Sequence, residues 1–244
     1  MEILSEQGFR SDGRKPQELR RIRGRLGVYH QADGSAYLEL GLTKVLAAVY
    51  GPHEFRRNRS KALHDRVYIN CQYSMATFSG GERKLRPRGD RKSQEFAQHL
   101  SKTFSAAILT TAYPRSQLDI YCEILQSDGS NLVACINAAS LALIDAGVPM
   151  KDYVCAAACS WLDDQPIVDV NYAEESMGSL PQLSMAILPK SEEIVLLELT
   201  SRLHNEKLEK LLDCSVKACK DIYAVLDQIV RNHIAETAVN LGWE

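Results

Sequence analysis

The apolar period changes along this chain from two residues to between three and four, and does so twice, which limits the possible folds more than any other feature. Strand-like runs occupy residues 24–30, 36–40, 44–50 and 66–73. In the last of these Val67, Ile69, Cys71 and Tyr73 alternate with Arg66, Tyr68, Asn70 and Gln72. Ala32-Asp33-Gly34-Ser35 supplies a turn between the first two runs and Gly51-Pro52 closes the third. The spacing predicts four strands in antiparallel succession.

From Arg91 the period lengthens. Phe96, Leu100, Phe104 and Ile108 recur every four residues, predicting a helix to about Thr111, before Pro114. A strand over 117–125 follows, then Asp128-Gly129-Ser130, then a helix over 131–146 rich in alanine and serine and stopped by Gly147 and Pro149. The second half repeats the order, with strands at 153–162, 167–171, 183–188 and 194–199 before a long helix through Leu208, Leu212, Cys219, Leu226 and Val230. Strands leading into a helix, twice, predict an α+β chain of two fused subdomains, 1–150 and 151–244, with their boundary at 147–151. No apolar run approaches the roughly 18 residues of a membrane span, and the first residues lack the basic-then-apolar order of a signal peptide. The expectation is a soluble, intracellular protein without a membrane partner.

Seven cysteines, an odd count set mostly among apolar neighbours, argue against a disulfide framework. Cys155 and Cys159 lack a second ligand pair at zinc-site spacing, so no metal or cofactor is expected.

A formal net charge of −2 conceals a division. Residues 1–92 carry 19 Lys and Arg against 10 Asp and Glu, and the remainder carries 10 against 21. The first half therefore suits a polyanion, or an unlike subunit. Arg56, Arg57, Arg59, Lys61 and Arg66, with Arg83, Lys84, Arg86, Arg88, Arg91 and Lys92, place eleven cations within 37 residues that hold three acids. Arg forks match phosphate oxygens, and two basic loops flanking one strand can line a groove for single-stranded nucleic acid. Residues 10–25 add seven cations on an extended approach to the first strand, for subunit pairing or for nucleic acid. Tyr73 and Phe78 stand near these loops and serve either as stacking rings or as core. Asp169 and Glu175 follow a strand and can be read as metal ligands, as a general acid or as ordinary loop acids. Asp128-Gly129-Ser130-Asn131 reads either as an anion-binding turn or as a helix cap.

Five segments in order carry a resemblance: Ser11-Asp12-Gly13-Arg14, Ala32-Asp33-Gly34-Ser35-Ala36, Val49-Tyr50-Gly51-Pro52, Asp90-Arg91-Lys92-Ser93, and Asp145-Ala146-Gly147-Val148-Pro149-Met150. From about Gly8 to the last helix the chain resembles the ribonuclease PH family, and within it the ring subunits of the eukaryotic RNA exosome. The resemblance implies the ribonuclease PH fold (ribosomal protein S5 domain 2-like). It implies a six-membered ring of ribonuclease-PH-like subunits around an RNA channel, with RNA-binding cap subunits and an associated hydrolytic exoribonuclease, in nucleus, nucleolus and cytoplasm. The implied work is 3′-to-5′ RNA processing and decay, including ribosomal RNA maturation and messenger RNA turnover.

In active relatives phosphate attacks the 3′-terminal phosphodiester and nucleoside diphosphate leaves. Their Gly, Ser or Thr, then Arg falls here on Ser130, Asn131 and Leu132, so the phosphate-binding arginine is absent and no Lys or Arg lies between Arg115 and Lys151. Losing a charge-assisted contact of that kind costs about 1.5–3 kcal/mol. Of the family's acids, Asp169 is kept, the next is Asn171 and the last is Glu175. Arg91 and Lys92, and the loop with Arg57, Arg59 and Lys61, match stretches that meet RNA. The pattern implies a subunit that contacts RNA without catalysis; an active phosphorolytic exoribonuclease is the alternative, requiring a cation from elsewhere.

Overall fold

The computed structural model describes residues 4–5, 7–54, 64–83, 89–162, 165–176 and 180–242. Nine strands and four α-helices occur among them. The first sheet contains β1 (Ile22–Leu26), β2 (Gly34–Leu40), β3 (Thr43–Glu54), β4 (Tyr68–Met75) and β5 (Ser116–Gln126) in the order β1-β2-β3-β5-β4. Only the first three follow the expected antiparallel succession. β5 inserts between β3 and β4, antiparallel to the former and parallel to the latter, with Cys71 opposite Ile120. A parallel neighbour requires a crossover, and α1 (Arg91–Ala107) provides it, packing on β4.

Side chains of the first sheet obey the period of two. Ala36, Leu38, Leu40, Val45, Ala47, Val49, Ile120, Cys122 and Ile124 are all buried on one face. The other face carries Tyr37, Glu39, Lys44, Tyr50 and Tyr121, of which Tyr50 and Tyr121 meet edge to face with centroids 5.7 Å apart. β1 stops at Leu26, earlier than its apolar run suggests, because Gly27 turns with φ +66° and bonds back to Ser35. β3 continues past Gly51-Pro52 to Glu54, accommodating the turn residues as a register shift between Tyr50 and His53.

α1 ends four residues before the expected Thr111, since Ile108 leaves the helix to pair with Met150 and Thr110–Ala112 forms a 3-10 turn. α2 (Asn131–Asp145) is buried almost all round, packing on β1–β3 and β5 and reaching β6 and β8. Its small residues permit that approach: a Cβ on Gly34 would stand 2.3 Å from the Ala142 carbonyl oxygen.

The second sheet, β7-β6-β8-β9, is antiparallel throughout, built from β6 (Cys155–Leu162), β7 (Gln165–Val168), β8 (Gln182–Leu188) and β9 (Glu193–Leu199). Asn137 on α2 bonds both the N–H and the carbonyl of Ala156, fastening the central helix to this sheet. Between β7 and β8 lies α3 (Tyr172–Ser176), a helix where the sequence pattern predicts a loop. α4 (Asn205–Asn240) packs on β6, β7 and β8 and reaches β1. All seven cysteines are free, and no described helix is long and apolar enough to cross a membrane.

Candidate nucleic-acid interface

Two turns meet at the N-terminus of α2. Ser130 precedes the helix in a left-handed conformation, φ +54°, and its hydroxyl donates to the Val170 carbonyl at 2.9 Å instead of capping the helix. Gly129, φ +78°, presses against the backbone of residues 170–172, where a Cβ would stand 2.7 Å from the Val170 oxygen. The Asp128–Ser130 turn and the loop from β7 to α3 are therefore one packed unit.

Three arginines of the N-terminal segment hold this unit together. Arg20 grips Asp169 with two side-chain bonds, Nε to Oδ2 at 2.9 Å and NH2 to Oδ1 at 2.7 Å, while its backbone N–H also donates to Oδ2. Its NH1 donates to the Asp128 carbonyl at 2.7 Å. Burial by itself would lower the pKa of Arg20, but hydrogen bonding to Asp169 and the charges of Asp169, Asp128 and Glu174 raise it above the ordinary value. Arg10 forks onto Glu174 and also donates to the carbonyls of Val168 and Asp169. Arg14 bonds Asp12 at 2.6 Å and the Asp169 carbonyl at 3.2 Å. Arg10 and Arg20 are buried, whereas Lys15, Arg21, Arg23 and Arg25 are exposed. The basic run at 10–25 thus divides into internal clamps and surface charge.

The acids divide likewise. Asp169 is 3% exposed and enclosed by arginines, so its carboxylate does not open onto a cleft shared with Glu175, which is exposed on α3. Asn171 caps α3: its Oδ1 accepts the Glu174 N–H at 2.9 Å and Glu174 Oε2 accepts the Asn171 N–H at 3.0 Å. Glu174, which the sequence pattern did not single out, is the other buried acid of this unit; the Asn-x-x-Glu spacing of a capping box was its available signal. Leu132, second residue of α2, is 4% exposed and belongs to the core.

Beside this unit a cavity of about 510 Å³ opens among Lys44, Phe78, Ser79, Gly80, Gln126 and Ser127. Phe78 is 73% exposed, the most exposed aromatic ring of the described residues. Tyr73 is instead core, meeting Phe96 edge to face at 5.1 Å. The Ser79 hydroxyl is buried without a hydrogen-bond partner. The Ser127 N–H donates to the Ser79 carbonyl, and Asn131 Nδ2 donates to Ser127 Oγ at 2.8 Å, joining the cavity wall to α2. One ring and one ammonium are what a single-stranded nucleotide uses for stacking and charge. Lys44 and Ser79 carried no distinguishing sequence signal.

Arg91 and Lys92 are the exposed first two residues of α1, which has no acid in its first turn. Arg66 and Arg83 are exposed too. Arg56, Arg57, Arg59, Lys61, Lys84, Arg86 and Arg88 lie outside the described residues.

Residues 18–149 match the 3′ exoribonuclease family, domain 1, and residues 152–218 match domain 2 of the same family, the two parts of the RNase PH description. The chain belongs to the 3′ exoribonuclease (RNase PH) family. Among its relatives in that family, exosome complex component RRP41 of Bos taurus is 54% identical over 242 residues, 99% of this chain and 98% of its own. The Homo sapiens component RRP41 is 53% identical over the same length and shares. The RNase PH fold agrees with the crystal structure of rice (Oryza sativa) Rrp46, which superimposes with a TM-score of 0.81 at 24% identity, covering 91% of this chain and all of that one. Mixed sheet and helix content in two matched parts is thus the family's fold, as the sequence motifs implied.

Proposed function

We propose that this chain is a ring subunit of the RNA exosome that contacts single-stranded RNA and does not itself perform phosphorolysis. Its similarity along nearly the whole chain to exosome components named RRP41 supports the assembly. The partners are other ribonuclease-PH-like ring subunits, RNA-binding cap subunits and an associated hydrolytic exoribonuclease, in nucleus, nucleolus and cytoplasm. The RNA-contacting residues are Arg91 and Lys92, with Arg57, Arg59 and Lys61, and the cavity at Lys44 and Phe78 accepts one nucleotide of the strand.

The observation that carries the absence of catalysis is the chemistry at the start of α2. Leu132 stands buried where active relatives place an arginine, and the buried acids beside that turn are already used: Asp169 by Arg20, Glu174 by Arg10. A phosphate there would meet neither a bidentate cation nor an unengaged buried acid. Glu175, on α3, keeps its side chain exposed. Arg91 and Lys92 argue in the other direction, for contact with RNA. Cations at a helix N-terminus oppose the helix dipole by about 0.3–1 kcal/mol each, and a polyanion placed there reverses the sign.

The deciding experiment reconstitutes the subunit with its ring partners and follows single-stranded RNA with and without inorganic phosphate. No phosphate-dependent release of nucleoside diphosphate is expected from this subunit. Release that disappears on Asp169→Asn, in a variant that still folds and assembles into the ring, would establish an active phosphorolytic exoribonuclease and overturn the proposal.

A further inference from the structure

Away from the cavity and its turns, Glu95 and His99 lie four residues apart on α1 and so share one flank of the helix, where β9 brings Glu198 against them. One ligand atom from each of the three lies within 4.8 Å of the other two, and His99 Nε2 stands 4.0 Å from Glu198 Oε2. Among the described residues this is the one place where three such side chains converge, and no described lysine or arginine pairs with either carboxylate. Two carboxylates therefore face one imidazole, in a seam where the His99 and Glu198 side chains are 23% and 25% exposed.

We propose that Glu95, His99 and Glu198 form a divalent-cation site whose best-fitting occupant is Zn²⁺. One imidazole nitrogen and two carboxylate oxygens suit a borderline metal, whereas Mg²⁺ and Ca²⁺ favour all-oxygen shells. Bonds of about 2.0–2.2 Å to a tetrahedral ion set ligand atoms about 3.4 Å apart. The exposed Glu95 side chain is the one free to close that difference. Three protein ligands leave a fourth position for water. The consequence is mechanical: β9 belongs to the second sheet and Glu95 lies four residues beyond Arg91, so the ion ties the basic start of α1 to the opposite half of the molecule.

The test titrates the full chain, freed of metal, with ZnCl₂ by calorimetry and with Co²⁺ by absorption, beside His99→Ala and Glu198→Gln. Expected are one equivalent of Zn²⁺, at least tenfold weaker binding in each variant, and a melting temperature that rises with Zn²⁺ and returns on adding EDTA. The Co²⁺ spectrum should lack the near-ultraviolet charge-transfer band of a thiolate ligand, which separates this site from the seven cysteines. Circular dichroism of the metal-free variants checks that they fold. No stoichiometric binding by the wild type, undiminished binding in folded His99→Ala, or a thiolate band would each overturn the site.

Discussion

Arg20 shows how a residue that reads as surface charge becomes an internal bolt. Its guanidinium is matched to Asp169 at two points and both groups are buried, so removing one partner leaves the other as an uncompensated charge. Arg20→Met should cost about 3–5 kcal/mol in urea unfolding. Adding Asp169→Asn should recover part of that loss, since the stranded carboxylate is gone, and strictly additive losses would refute the coupling. Asp12 makes a milder case. Burial would raise its pKa, but hydrogen bonding to and the charge of Arg14 outweigh this and hold it below its ordinary value. A depressed carboxylate pKa adds stability above the unfolded pKa, and that stability disappears as pH falls through the folded one. With Asp12 one-third exposed the effect is no more than about 1 kcal/mol. The stability difference between wild type and Asp12→Asn should therefore be flat near neutrality and shrink below about pH 4.

At the scale of elements, the turn before α2 is the most constrained connection of the site. Gly129 combines φ +78° with a backbone contact that any Cβ would violate, whereas a Cβ at Gly80 meets only the Glu82 oxygen at 3.9 Å. Gly129→Ala should lower stability by more than about 1 kcal/mol and Gly80→Ala by less than about 0.5 kcal/mol, compared by thermal unfolding. Most elements were legible because their apolar periods are long and clean, as in β2 and α1. Pairing partners were not: nothing in the period of β4 says that β5, 40 residues later, will separate it from β3. α3 escaped because five residues carry little periodicity and Glu174-Glu175 reads as a loop. Within the site, the missing cation at Leu132 was readable as composition. The fate of Arg10 and Arg20 was not, because their carboxylates stand 164 and 149 residues away along the chain.

Across the whole molecule, the positive charge of the first half is used in two ways: internally, where the arginine clamps hold acids of the second half, and outwardly, through exposed cations left for a polyanion. Arg91→Ala with Lys92→Ala should weaken binding of single-stranded RNA to the assembled ring and flatten its dependence on salt. The slope of log affinity against log salt should drop by about 0.7 for each phosphate that these side chains no longer neutralise. An unchanged slope would place them off the RNA path. The clamps also impose an order on biosynthesis. Arg10 and Arg20 leave the ribosome early, and the carboxylates that neutralise them are joined some 150 to 160 residues later. At about 5–20 residues per second, a strongly cationic nascent arm stays unlatched for roughly 8 to 30 seconds. Closing the N-terminal segment is thus an act of the finished chain, and a polypeptide interrupted before Asp169 keeps that segment open.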